Sequence, residues 1–196
     1  MMEADDRFPV HPDRSGPRNL AVLLMLGALV VLWMGYADLQ AHRIGLSDDQ
    51  VSTLIATPNA QGGEPTTLDD FRAFERDARD DGAFLTRAVA LLTSGGLVLT
   101  GAALLFRLRR AGAYLCTAGA AIGLLGGVGG SVMIRGSAQA HLGDALAFTY
   151  EAWVYICGAM MGLCLAMAAL PLLNLRARMA LEPLRIENRL VKDESE

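Results

Sequence analysis

Two histidines, His42 and His141, and three carboxylates, Asp38, Asp144 and Glu151, are the side chains of this sequence best suited to bind a metal. Imidazole nitrogen and carboxylate oxygen are the donors of zinc and copper centres, and His42, His141 and Asp144 form the candidate ligand set. The three come from separate segments, and no short spacing such as HxxxH ties two of them to one helix face. Pairing of the polar groups here with Arg43 or Arg135 is the plainer expectation.

Nucleophilic and redox chemistry have less to work with. Ser94 and Ser131 lie in glycine-rich apolar stretches without a histidine to take the hydroxyl proton. The glycines between positions 126 and 130 lack the following GK[ST] of a phosphate-binding loop. A haem held between helices needs histidines within apolar segments, and this chain places none there. Cys116, Cys157 and Cys164 all fall in apolar runs, where they read as small hydrophobes rather than as a disulfide framework. No cofactor is expected, and nothing points to an enzyme.

The elements that position these residues follow from the distribution of charge. Hydrophobic residues make up 53% of the 196 positions and charged ones 19%, a balance too apolar for an ordinary soluble domain. The apolar residues gather into four long runs, at about 20–39, 84–106, 113–134 and 149–175, and the charges gather between them. A charge at the centre of a spanning helix costs about 2.5–3.5 kcal/mol, whereas about 20 apolar residues at 1.5 Å each cross a 30 Å hydrocarbon core. The expected fold is therefore all-α: a polytopic integral membrane protein with a four-transmembrane-helix bundle and a short helical extracytoplasmic loop. A cleaved signal peptide is the rival reading of the first run, with Gly35 and Ala37 as a cleavage site, but such a region is shorter, at about 7–15 residues.

Residues 1–19 carry Pro9, Pro12 and Pro17 and read as a disordered tail. Residues 40–83 hold nine acidic residues against four arginines, an acidic cap with structure of its own. Ser47 with Gln50, and Thr67 with Asp70, have the capping-box spacing that opens a helix, and Pro58, Gly62, Gly63 and Pro65 mark a turn between the two helices. Residues 107–112 form a basic turn, 135–148 a short amphipathic loop, and 176–196 a basic tail with a broken surface helix. Eleven basic residues fall on the side of the two tails and the 107–112 turn, and six on the other. The positive-inside rule makes the first side cytoplasmic, in a cell membrane. Trp33, Tyr36, Tyr150, Trp153 and Tyr155 fit an aromatic belt at the outer boundary.

Asp38 and Glu151 each sit near the level of an arginine, Arg87 and Arg135, so ion pairs between span ends are expected to fix helix register. The third run is the most glycine-rich. Gly119 and Gly123, Gly123 and Gly127, and Gly126 and Gly130 are four apart, and Gly158 and Gly162 repeat the spacing in the fourth run. Four-residue spacing strips one helix face of side chains and lets another helix approach closely. Packing within the chain is the first use expected of these faces, with a groove for a partner helix or lipid as the second.

The layout, with a long first outer loop, a tight inner turn and a short second outer loop, resembles tetraspan membrane proteins in general, claudin-like ones included. Residues 40–83 lack the tryptophan and paired cysteines of the claudin type, so no family is assigned. The net charge of −4 is too mild to suggest nucleic acid. A non-catalytic accessory or assembly subunit of a larger membrane complex, with the lipid bilayer and other integral subunits or further copies of itself as partners, is the most economical function. The alternatives are a small oligomeric channel or carrier lined by Ser94, Thr100, Thr117 and Ser131, and a metal or redox subunit built on His42 and His141.

Overall fold

The computed structural model describes residues 15–60, 65–174, 177, 178 and 181. Among the described residues there are six helices and no strand: α1 (Ser15–Arg43), α2 (Asp48–Ala60), α3 (Leu68–Asp80), α4 (Ala83–Phe106), α5 (Arg110–His141) and α6 (Asp144–Leu173). Four of them, α1, α4, α5 and α6, are long and apolar enough to cross a membrane. The expected disordered tail before Ser15, the turn glycines Gly62 and Gly63, and most of the basic tail lie outside the described residues.

The long helices pack in the order α1–α4–α5–α6, and α1 and α6 meet only sparsely. The closest seam is α4 against α5, where hydrogen replaces side chains. A methyl at Gly112 would collide with the backbone of Gly101 and Leu105, one at Gly119 would lie 3.0 Å from the Ser94 carbonyl oxygen, one at Gly126 would collide with Ala90, and one at Gly130 would lie 2.6 Å from Arg87 Cβ. The antiparallel seam thus runs from Gly112 to Gly130, about 27 Å at 1.5 Å per residue. Backbone-to-backbone approach over that length supplies dispersion contacts all along the seam.

At one end of the long helices sits a cap made of α2 and α3. Thr67 opens α3 with a complete capping box: Asp70 N–H donates to Thr67 Oγ1 (3.2 Å) and Thr67 N–H donates to Asp70 Oδ2 (2.9 Å). Ser47 and Gln50 make the same reciprocal pair ahead of α2. Phe71, Phe74 and Ala78 recur on the inner face of α3 and bury against Phe84, Ile134, Ala138, Leu142 and Leu146. Ring centroids of Phe71 and Phe74 lie 5.4 Å apart and those of Phe74 and Tyr150 5.1 Å. Gly82, at φ 68°, takes the left-handed turn that reverses the chain from α3 into α4.

This cap explains why α5 and α6 outrun their apolar stretches. The 135–148 segment, expected as a loop, is helical except at Leu142 and Gly143. Its Ala138, Leu142 and Leu146 find an apolar partner in α3 rather than water. Thr66 fixes the connection: its hydroxyl accepts from Gly143 N–H (3.0 Å), while Asn59 bonds both its N–H and its carbonyl (2.9 Å each). Pro58, expected in the turn, lies inside the last part of α2 instead, where the missing N–H removes only one helical bond. At the opposite end Leu108, not a glycine, holds the left-handed position (φ 57°) of the basic turn, with Arg109 N–H reaching back to the Leu104 carbonyl (3.0 Å). Gly112 is inside α5.

Candidate functional site

Two places concentrate chemistry: a polar cluster beneath the cap, and an apolar cleft between α1 and α6.

The polar cluster begins with Arg87, one turn into α4. Its Nε donates to Asp38 Oδ2 at 2.7 Å and its Nη2 to Asp38 Oδ1, giving a two-pronged ion pair between α4 and α1. The side chains are 13% and 9% exposed. Arg87 Nη1 also donates to Ser131 Oγ (3.4 Å), and Ser131 donates to the Gly127 carbonyl (2.8 Å). Gly130 makes room for the arginine stem against α5. Three helices are thereby joined at one level. Removing one partner of such a buried pair costs about 3–5 kcal/mol, because the other is left charged without compensation. The second expected pair, Arg135 with Glu151 at 3.1 Å, links α5 to α6 and is about one-third exposed.

Above this level the cap has its own charge chain. Arg72 bridges Asp48 (2.5 Å) and Glu75, and Glu75, 5% exposed, accepts from Leu46 N–H at 3.0 Å. These two carboxylates hold the Arg72 guanidinium pKa above its ordinary value. Arg79 donates to the Ala41 carbonyl at the end of α1 (3.2 Å). Gly45, at φ 78°, lies so close that a methyl there would be 2.9 Å from Arg79 Nη2.

The candidate metal ligands do not converge. His141 Nε2 lies 3.6 Å from Asp77 Oδ2, His42 keeps its buried Nδ1 without a hydrogen bond, and Asp144 is exposed at the start of α6. Among the described residues no three of His, Cys, Asp and Glu are grouped to hold an ion. Of the four hydroxyls considered as a pore lining, three are engaged elsewhere, and Ser94 lies at a small inward hollow between the long helices. Thr100 bonds the Gly96 carbonyl of its own helix, Thr117 bonds the carbonyls of Ala113 and Ala168, and Ser131 belongs to the Arg87 cluster. Of the glycines singled out, Gly119, Gly123, Gly126, Gly127 and Gly130 face α4, whereas Gly158 has only ordinary contact with Val128 and Gly162 faces open space.

The cleft is the feature that sequence reading missed. It has a volume of about 280 Å³ and lies between Gly27, Val31 and Met34 of α1 and Trp153, Cys157, Met160, Met161 and Cys164 of α6. A smaller hollow of about 60 Å³ shares Gly27, Val31, Met161 and Cys164 with it and reaches inward to Ser94 and Val98 of α4 and Ala120 of α5. The pattern that signals it is the 157, 160, 161, 164 spacing, which puts four sulfur-bearing residues on one face of α6.

Comparison with protein-family models, with curated proteins and with solved structures gave no match.

Proposed function

We propose that this chain is a non-catalytic subunit of a larger membrane complex, spanning a cell membrane four times as a helix bundle with both ends in the cytoplasm. The arginine distribution supports that orientation, with eleven basic residues on the side of the tails and the 107–112 turn. One observation carries the reading as a packing subunit. The close-approach face of α5 is spent on α4, while α1 and α6 turn large apolar side chains outward and leave each other largely uncovered. Leu23, Leu26, Leu29 and Val30 on α1, and Ile156, Met160 and Leu163 on α6, are all exposed. Partner helices of other integral subunits, or of a second copy, would lie against these two surfaces, and the acidic cap would meet extracytoplasmic parts of the same partners.

The test is purification of the tagged full-length chain from its native membrane in mild detergent. Co-migration with other membrane subunits on a sizing column, with photo-crosslinks from positions 26 and 160, is expected. Migration as a lone monomer without crosslinks overturns the reading.

A further inference from the structure

We infer that the cleft between α1 and α6 is a binding site for a soft monovalent metal ion, Cu(I) by class, held by methionine and cysteine sulfur. The chain has nine methionines and three cysteines. Three of those methionines and two of those cysteines line the cleft, Met34 from α1 and Cys157, Met160, Met161 and Cys164 from α6, and Met167 lines the inward hollow.

The chemistry of the donors selects the ion. Thiolate and thioether ligands favour Cu(I), whereas calcium and magnesium require oxygen. No carboxylate or imidazole lines the cleft. An isolated charge is expensive in such surroundings. A monovalent ion bound by one thiolate leaves no net charge: Cys–SH + Cu(I) gives Cys–S–Cu(I) and one released proton, with copper unchanged in oxidation state. Thioether sulfur from neighbouring methionines completes the coordination without further proton release.

The cleft also has the adaptability such a site needs. Methionine side chains are unbranched and readjust easily. Gly27 on the α1 wall has no atom within 4 Å of where a methyl would sit. The third cysteine supplies an internal control. Cys116 is buried in the α4–α5 seam with its sulfur 3.6 Å from the Val98 carbonyl, away from the cleft. The site shares Met160 with the surface given to partner helices, but copper binding by the purified chain and co-migration with other subunits are read separately.

The experiment is an anaerobic titration of the purified full-length chain with Cu(I) against a chromophoric Cu(I) chelator, with Zn(II) run in parallel. One equivalent of Cu(I) withdrawn from the chelator is expected, with copper–sulfur scattering in the X-ray absorption spectrum and no competition for Zn(II). Losing an outer partner of a metal site weakens affinity by about 10–100-fold, so Cys157→Ser with Cys164→Ser should lose at least that much. Cys116→Ser should titrate as the unmodified chain does. Should the double cysteine variant elute differently or lose helical signal, Met160→Leu with Met161→Leu, which keeps volume, replaces it and should also weaken binding. Failure of the unmodified chain to compete, equal loss in Cys116→Ser, or full retention in both cleft variants overturns the assignment and leaves the sulfurs as soft packing.

Discussion

Asp38 on α1 and Arg87 on α4 face each other as a two-pronged ion pair with both side chains largely withdrawn from solvent, and Ser131 on α5 touches the same guanidinium. Truncating either charge should therefore act as removal of one half of a buried pair. Asp38→Leu or Arg87→Met is expected to lower stability by about 3–5 kcal/mol. Replacing both at once, Asp38→Leu with Arg87→Met, should recover most of that loss, since no uncompensated charge remains. Reversible unfolding in mixed micelles measures the cycle. Single-variant losses below about 1 kcal/mol, the value of a solvent-exposed pair, would show that water reaches these groups.

Gly126 and Gly129 are three positions apart on α5 but face different surroundings. A methyl on Gly126 runs into Ala90 of α4, while nothing lies within 4 Å of one on Gly129. Gly126→Ala should destabilise the chain by about 1–3 kcal/mol through overpacking. Gly129→Ala should stay within about 0.5 kcal/mol of the unmodified chain. The same unfolding measurement compares them. Equal effects would mean that the α4–α5 seam does not close as described.

How far the sequence reveals this structure depends on how local each signal is. The four long helices are legible because each holds an apolar run of about 20 residues or more with the charges set near or beyond its ends. Both capping boxes are legible because their partners are three residues apart. The ion pairs Asp38–Arg87 and Arg135–Glu151 follow from charges stranded at equal depth. The glycine face of α5 is visible as a face, but its receiver is not. Ser94 and Ala90 on α4 become its complement only when the two helices lie antiparallel. The extension of α5 to His141 is hidden because hydropathy marks the apolar stretch and not the helix, whose end is set by the apolar face of α3. The cleft is hidden for another reason. Methionine and cysteine count as ordinary apolar residues until α1 and α6 fail to cover one another.

Gly45 carries two constraints at once in the α1–α2 connection. Its φ of 78° is in the region that L side chains rarely adopt, and a methyl there would press on Arg79 Nη2. Gly45→Ala should cost about 1–2 kcal/mol from the backbone alone. Arg79 would be pushed off the Ala41 carbonyl as well. The damage should stay in the cap, with faster tryptic cleavage at Arg43 and Arg72 and little change in the unfolding of the four long helices. Unchanged cleavage would show that the connection tolerates another conformation.

Asp70 gives the cap a defined response to acid. The Thr67 hydroxyl, followed by the Thr67 backbone N–H, holds the Asp70 carboxyl below its ordinary pKa. A carboxyl whose pKa is lower in the folded chain favours folding while it is ionised. Its contribution is complete above the unfolded-chain value, about 3.9, and is lost as pH falls through the folded value. The part of the α3 start held by the Asp70 carboxylate should thus persist from neutrality to about pH 5 and be lost only under stronger acid. Asp70→Asn keeps an acceptor for Thr67 but removes the titration, so its α3 should be slightly weaker at neutral pH and no weaker in acid. Amide exchange at residues 68–71, normalised to intrinsic rates at each pH, distinguishes the two forms. Parallel pH profiles for both would mean that another group controls this helix end.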